Sequence, residues 1–530
     1  MTDAGAAIHS RAPSRATRKG RLLRRAAPLA IIAAVAFAVG IILAGGSDQR
    51  DAVQRYGEAW SAGDYRAMAA ELTPAAHAEY DAAALEQAYA DAAATATAES
   101  LSVGEARGPL EDGGEEVVAL PVSVRTAAFG TVEGEIAVPV TDDGVEWAPH
   151  LVFPGLQPDQ RLERRIRLPE RAPILAADRS PLAEGPAEAR VTNGAGGIVT
   201  GEISEAKGRQ RDALEARGFP ADAPAGTSGL ELAFDEALAG TPGGELLAVG
   251  GGGRKELVST EPTPGEPVRT TIDPAIQDAA AAALGDTFGG AAVLDARDGD
   301  VLGLAGIAFS APQPPGSTMK VITTVGALEA GITKPGEEFP VQTSAVVGGY
   351  EVENAYDEPC GGNLVVSFAK SCNSVFAPLG AELGGERLVE TSERFGFNEP
   401  PTLYDDAALA AVEPPQSTIP ADISDDLDVG VSAIGQGEVL ATPLSMASVS
   451  QTIANEGMRS PTAIVRDPEL SGDRPDVEVA SPRVAEQVKA MMIEVVNSGT
   501  GTAAALPDAQ VAGKTGTAEL GTVSSDEPVP

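Results

Sequence analysis

Histidine and cysteine are almost missing from this 530-residue chain, which has three of the former and two of the latter. No histidine follows His150, so the long remainder cannot house a Ser-His-Asp triad. Zinc sites built from His and Cys are excluded with it, and no cofactor is expected. Aromatic residues make up only 4%, which leaves Ala, Val and Leu to fill the cores, while 60 Gly and 40 Pro imply many loops. Basic residues are also scarce. Beyond residue 25 there are 31 of them against 76 acidic ones. Such a surface repels phosphate, which excludes nucleic acid as a partner.

Long hydrophobic runs are missing too, with one exception. Ala26 to Gly45 is apolar and uncharged, and these 20 residues form a helix long enough to cross the hydrocarbon layer. Before it lie Arg11, Arg15, Arg18, Lys19, Arg21, Arg24 and Arg25 against the single acid Asp3. The positive-inside rule therefore puts residues 1–25 in the cytoplasm and everything after Gly46 outside. The run is long for a signal-peptide core and no clear Ala-x-Ala site follows, so an uncleaved single-pass anchor is expected.

Residues 47–155 read as a small α+β unit. Val53, Tyr56 and Trp60 recur at helical spacing, and an Ala-rich helix runs through Tyr80 to Ala94. Alternating segments at Glu116–Arg125, Thr131–Val140 and Val145–Phe153 follow, suiting a curved sheet against a helix pair. Residues 156–265 are interrupted by Pro, Gly and Arg and show no sustained period. Residues 266–530 read as an α/β domain. Asp273 is a helix N-cap followed by Pro274, and Ala291–Ala305 forms a hairpin around Asp298-Gly299.

Three short segments carry chemistry. In Pro315-Gly316-Ser317-Thr318-Met319-Lys320, Ser317 opens a helix that Gly331 stops, and Lys320 lies one turn on, on the same face. A lysine held in a dry cleft loses part of its preference for charge and can take the serine proton. Ser-x-x-Lys also occurs at Ser204 and Ser367, so the pattern alone is weak. Ser371-Cys372-Asn373 is the only Ser-x-Asn. In an extended loop Ser371 and Asn373 face one cleft, where a hydroxyl relays a proton and an amide holds a substrate carbonyl or the lysine. Gly513-Lys514-Thr515-Gly516-Thr517 holds the only Lys-Ser/Thr-Gly, inside a strand-like stretch Gln510–Leu520. There Lys514 supplies a cation, the threonine hydroxyls meet a carboxylate, and Gly516 leaves the strand edge open to a peptide.

In that order, Ser317-x-x-Lys320, Ser371-x-Asn373 and Lys514-Thr-Gly516 resemble the triplet of the serine penicillin-recognising transferases. Ile434-Gly-Gln-Gly437, Thr442-Pro-Leu-Ser-Met-Ala447 and Ile453-Ala-Asn-Glu-Gly457 are similar to further segments of class B penicillin-binding proteins. Arg171–Ala183 resembles the box that opens their dimerisation domain, with Ala172 and Arg179 where glycines are usual. Any Arg or Asp in this stretch is expected simply to pair within the domain. Residues 47–155 look like the NTF2-like spacer found in some members.

The resemblance implies a multidomain α+β protein: the anchor at 26–45, the NTF2-like domain at 47–155, the dimerisation domain at 156–265 and a β-lactamase-like transpeptidase domain at 266–530. It implies a DD-transpeptidase in which Ser317 is the nucleophile, Lys320 its base, Ser371 a proton relay beside Lys514, and Asn373 a substrate-positioning amide. Thr515 and Thr517 bind the terminal carboxylate, with Gly516 between them, and the N–H groups of Ser317 and Thr517 form the oxyanion hole. The implied partners are peptidoglycan stem peptides, β-lactams and a polytopic membrane glycosyltransferase. A further central strand and a closing helix should follow Lys-Thr-Gly. Asp526-Glu-Pro-Val-Pro530 reads as loop, so these elements are expected to be missing.

Cys360 and Cys372 sit outside the membrane in this reading, where disulfides persist. A bridge closing that short loop would steady Ser371, and two free buried thiols are the other reading. Two other functions compete. A β-lactamase needs a water-activating base, and none is identifiable. A non-catalytic β-lactam sensor or assembly scaffold needs an effector, and only about 25 residues lie inside.

Overall fold

The computed structural model describes residues 47–517, apart from 113–114, 252, 468–469 and 471–473. The anchor expected at 26–45 and the expected missing elements lie outside the described residues. Among the described residues no helix is long and apolar enough to cross a membrane.

Apolar residues at helical spacing build the first unit. Val53, Tyr56 and Trp60 of helix Ser47–Ala62 are all buried, as are Leu85 and Tyr89 of helix Ala82–Ala96. Two short helices, Tyr65–Ala70 and Pro74–Glu79, join them. The long antiparallel strands Glu115–Thr126 and Gly130–Thr141 alternate buried and exposed positions and place Val118, Leu120, Ile136 and Val138 against the helices. Two strands were not anticipated, Ala98–Val103 and Arg107–Asp112; both pair with Glu115–Thr126. The third expected strand, Val145–Phe153, is a two-residue strand followed by the 3-10 turn Pro149–Val152, because proline offers no ladder donor. The interior holds rings. Tyr56 and Tyr89 share a hydroxyl contact, and Trp147 Nε1 donates to Tyr89 Oη at 3.2 Å.

A three-stranded antiparallel sheet, Gly253–Thr260, Gly243–Gly250 and Gln160–Arg167, stands where the sequence showed no period. Its Leu246 and Ala248 pack into the core of the first unit. Arg171 is buried, as expected paired within its own region: it meets Glu231 at 2.6 Å and Asp235 at 3.0 Å, and Arg190 reaches Glu231 at 2.7 Å. Arg179, where the resemblance expects glycine, keeps the left-handed backbone of a glycine, φ 70°.

A second core joins Ile174, Leu182, Leu230 and Phe234 to Ile272, Leu304, Tyr404 and Ile464. Helix Pro274–Leu284 starts at Asp273, whose carboxylate accepts from the N–H groups of Ala275 and Ile276. The hairpin Gly290–Leu294/Val301–Gly306 packs beside it. The third core surrounds helix Lys320–Glu329. Every residue from Lys320 to Leu328 is buried, and helices Asn373–Leu383, Gly385–Arg394, Asp426–Ala433 and Pro482–Asn497 lie around it.

Candidate active site

Pro315 and Gly316 turn the chain into a 3-10 segment, Gly316–Met319, and the α-helix proper begins at Lys320. Ser317 therefore sits on a tight turn and not within the α-helix. Gly331, at φ 68°, follows the helix end as expected. The lysine is fully buried and its amine lies 3.0 Å from Ser317 Oγ.

Three further contacts surround that amine: the Ser371 carbonyl at 2.8 Å, Asn373 Oδ1 at 2.7 Å and Ser371 Oγ at 3.2 Å. The Ser371 carbonyl and Asn373 Oδ1 can only accept. They take the two hydrogens of a neutral amine and leave its lone pair for the Ser317 hydroxyl. The amide orientation is fixed independently, because Asn373 Nδ2 donates to the Glu353 carbonyl at 2.9 Å. Burial holds the Lys320 pKa well below that of a free lysine, and the nearby Lys514 charge pushes it the same way. Of the two sequence readings for Asn373, the geometry displays the one in which it holds the base lysine.

The Ser371 segment is not an extended loop. Helix Leu364–Ala369 ends with Ser371 N–H on the Phe368 carbonyl and Cys372 N–H on the Ser367 carbonyl, each at 3.0 Å. That bonding is a Schellman stop, which normally has glycine where Ser371 stands. Ser371 takes the left-handed conformation, φ 64°. Helix Asn373–Leu383 then starts at once. The three residues between the two helices, with Ser371 left-handed, turn both Ser371 and Asn373 toward Lys320. Cys372, between them, is bonded to Cys360 in the disulfide that the sequence left open.

Lys514 Nζ donates to Ser371 Oγ at 2.9 Å and to the Thr515 carbonyl at 2.9 Å. Ser371 thus sits between two amines. Burial lowers the Lys514 pKa to about 7. Residues 510–517 pair with no neighbouring strand among the described residues, which corrects that part of the expected strand, since a strand forms only through ladder bonds; its remainder, 518–520, lies outside the described residues. Gly516 has a second reason to be glycine: a methyl group there would lie 3.0 Å from the Pro315 carbonyl oxygen, so the segment crosses the Ser317 turn closely. Thr517 is exposed, and its carbonyl accepts from Gln436 Nε2 at 3.4 Å. The structure thus brings Ser317, Lys320, Ser371, Asn373 and Lys514 together, with Thr515, Gly516 and Thr517 along the same rim. Sequence reasoning missed Thr500, whose hydroxyl lies 2.5 Å from Thr515 Oγ1; the signal was a Gly-Thr-Gly turn after an amphipathic helix.

A buried amine aimed at a turn-borne hydroxyl, with a second hydroxyl and a second amine behind it, makes a serine–lysine cluster whose geometry can support acyl transfer. Residues 289–529 match the penicillin binding protein transpeptidase domain, residues 188–270 the penicillin-binding protein dimerisation domain and residues 49–160 the NTF2-like N-terminal transpeptidase domain. Three penicillin-binding-protein domain models thus match successive parts of the chain. Peptidoglycan D,D-transpeptidase PbpA of Mycobacterium tuberculosis is 36% identical over 230 residues, 41% of this chain and 45% of that protein. Penicillin-binding protein PbpB of Mycolicibacterium smegmatis is 30% identical over 345 residues, 56% of this chain and 52% of that protein. The chain spans about half the length of these curated relatives. Among solved structures, the penicillin G acyl-enzyme complex of penicillin-binding protein A from M. tuberculosis superposes with a TM-score of 0.51 at 26% identity, covering 67% of this chain and 87% of that one.

Proposed function

We propose that this chain is a peptidoglycan D-alanyl-D-alanine transpeptidase that works through an acyl-enzyme on Ser317. The observation that carries this reading is the Lys320 amine at 3.0 Å from Ser317 Oγ, with two carbonyl-type oxygens occupying its hydrogens. Ser317 Oγ attacks the penultimate D-Ala carbonyl as its proton passes to Lys320. The N–H groups of Ser317 and Thr517 face the developing oxyanion, a contribution typically worth roughly 10²–10³ in rate per donor. The C–N bond breaks, and the departing D-Ala amine takes its proton through Ser371 with Lys514 behind it. An amine of a neighbouring stem then attacks the ester and releases Ser317. β-lactams mimic the donor and leave the serine acylated.

The partners of Lys320 and Lys514 are hydroxyls, an amide oxygen and backbone carbonyls. A carboxylate that could activate water is not among them, which favours a long-lived acyl-enzyme over a β-lactamase. In this reading residues 26–45 anchor the protein with its catalytic domain outside the cell, beside a polytopic glycosyltransferase that supplies the glycan strands.

The test is intact-mass measurement after exposure to benzylpenicillin, with the adduct mapped by peptide digestion. A stable adduct on Ser317, absent from Ser317→Ala, is expected. Release within seconds would favour the hydrolase, and a folded chain that never gains the adduct would end the proposal.

A further inference from the structure

Thr500 lies outside the three segments that carry the chemistry, yet it touches two of them. Its backbone N–H donates to the Ala369 carbonyl at 3.1 Å, at the end of the helix that delivers Ser371. Its hydroxyl lies 2.5 Å from Thr515 Oγ1 and 3.5 Å from that same carbonyl. The turn carrying it fits closely: a methyl group on Gly499 would sit 2.2 Å from the Ala369 carbonyl oxygen. Upstream, Gly499 and Gly501 donate to the Val495 carbonyl and close helix Pro482–Asn497. The turn is therefore pinned at both ends, and Thr500 has little freedom.

We propose that Thr500 is a positioning residue that orients the Thr515 hydroxyl toward the carboxylate of the bound substrate. This rests on the acyl-transfer reading above. Each hydroxyl has one proton, and a carboxylate only accepts. If Thr515 gave its proton to Thr500, none would remain for the substrate. The Ala369 carbonyl already accepts the Thr500 N–H and is the more distant acceptor for its hydroxyl. The short contact therefore runs from Thr500 into Thr515 Oγ1, which leaves the Thr515 proton free to point into the groove. A hydroxyl that accepts one hydrogen bond also donates a stronger one. The substrate class this selects is an acyl donor with a free carboxylate next to the departing group.

The test uses the full chain and two probes that differ only there, benzylpenicillin and its methyl ester. For Thr500→Val the second-order acylation rate should fall at least about tenfold with the acid, the loss expected of a hydrogen bond to a charged group, and change by less than about threefold with the ester. Thr500→Ser keeps the donor and should stay within about threefold of wild type on both. Equal losses on acid and ester, an unchanged rate on the acid, or a serine variant that behaves like the valine one would each overturn the assignment. A wild-type chain that takes up neither probe on Ser317 would instead overturn the acyl-transfer reading, and this assignment with it.

Discussion

Lys320 Nζ and Asn373 Oδ1 stand 2.7 Å apart, closer than the 3.0 Å between the same amine and Ser317 Oγ. The amide oxygen and the Ser371 carbonyl fix both hydrogens of a neutral amine, so the remaining lone pair is left to a hydroxyl, and Ser317 Oγ at 3.0 Å is nearer than Ser371 Oγ at 3.2 Å. Replacing the amide by a carboxylate should reverse the effect. In Asn373→Asp the negative charge favours the ammonium form and raises the Lys320 pKa. The acid limb of the acylation profile should move to higher pH, and the rate at neutral pH should fall by roughly 10²–10⁴, the range lost with a general base. A stopped-flow profile with a fluorescent penicillin checks this; an unmoved acid limb would contradict it.

An alkaline limb is expected from Lys514. Burial brings its pKa to about 7, and its charged form donates to Ser371 Oγ. Acylation should therefore fall as pH drops, when Lys320 takes up a proton, and fall again as pH rises through about 7, when Lys514 loses its own. Lys514→Arg keeps the charge throughout and should abolish the alkaline limb. A limb that persists in that variant would mean another group titrates there.

Ser371 occupies a position where the chain prefers glycine. Its φ of 64° costs about 1–2 kcal/mol for a residue with a side chain, and the hydroxyl between two amines is what that strain secures. Ser371→Gly should thus raise the free energy of unfolding by about 0.4–1 kcal/mol while lowering the acylation rate at least tenfold. Urea denaturation and penicillin acylation, measured on the same preparation, should move in opposite directions. Loss of both would show that the serine is held without strain.

The five groups that meet around Lys320 and Ser371 were legible because each motif carries rare residue types at fixed short spacing: Ser317 and Lys320 need only one helical turn to meet. The core face of the first helix was readable from Val53, Tyr56 and Trp60 for the same local reason. What the sequence hid depends on distant partners. The left-handed Ser371 reads as loop until the bonds back to Ser367 and Phe368 show a helix stop. Residues 510–517 look like a strand by composition, but strand character needs a paired neighbour. Hairpin Ser344–Val347/Tyr350–Glu353 alternates weakly and escaped notice. Thr500 lies in a Gly-Thr-Gly turn that names no partner, and its distance to Thr515 is what reveals it.

The bridge between Cys360 and Cys372 closes a separation of 12 residues around the relay serine. Chain-entropy arguments assign a loop of that length about 3 kcal/mol of stability. The Cys360→Ala/Cys372→Ala chain should lose about that much, and its acylation rate should fall further than the stability loss explains, because Cys372 directly follows Ser371. The two readouts are urea denaturation and the acylation rate of the fully folded fraction at low temperature. An unchanged rate would show that the two helices alone hold the relay in place.

The buried charges near residue 171 should matter to folding and not to chemistry. Glu231 is almost fully buried and bridges Arg171 and Arg190, with Asp235 as the second acid. Its neighbours Leu230 and Phe234 belong to one core, whereas Met319 and Val321 near Ser317 belong to another. Glu231→Gln would leave two guanidinium groups in a dry site with one carboxylate to share. Breaking a buried pair from one side costs roughly 3–5 kcal/mol, whereas replacing all members with apolar groups of similar volume is close to neutral. Glu231→Gln should therefore destabilise the chain by about that amount, and Arg171→Met/Glu231→Met/Arg190→Met should recover most of it. Per folded molecule, the penicillin acylation rate should match wild type in both. A rate that falls with Glu231→Gln while the protein is still folded would reveal a coupling from this region to Ser317 that packing alone does not provide.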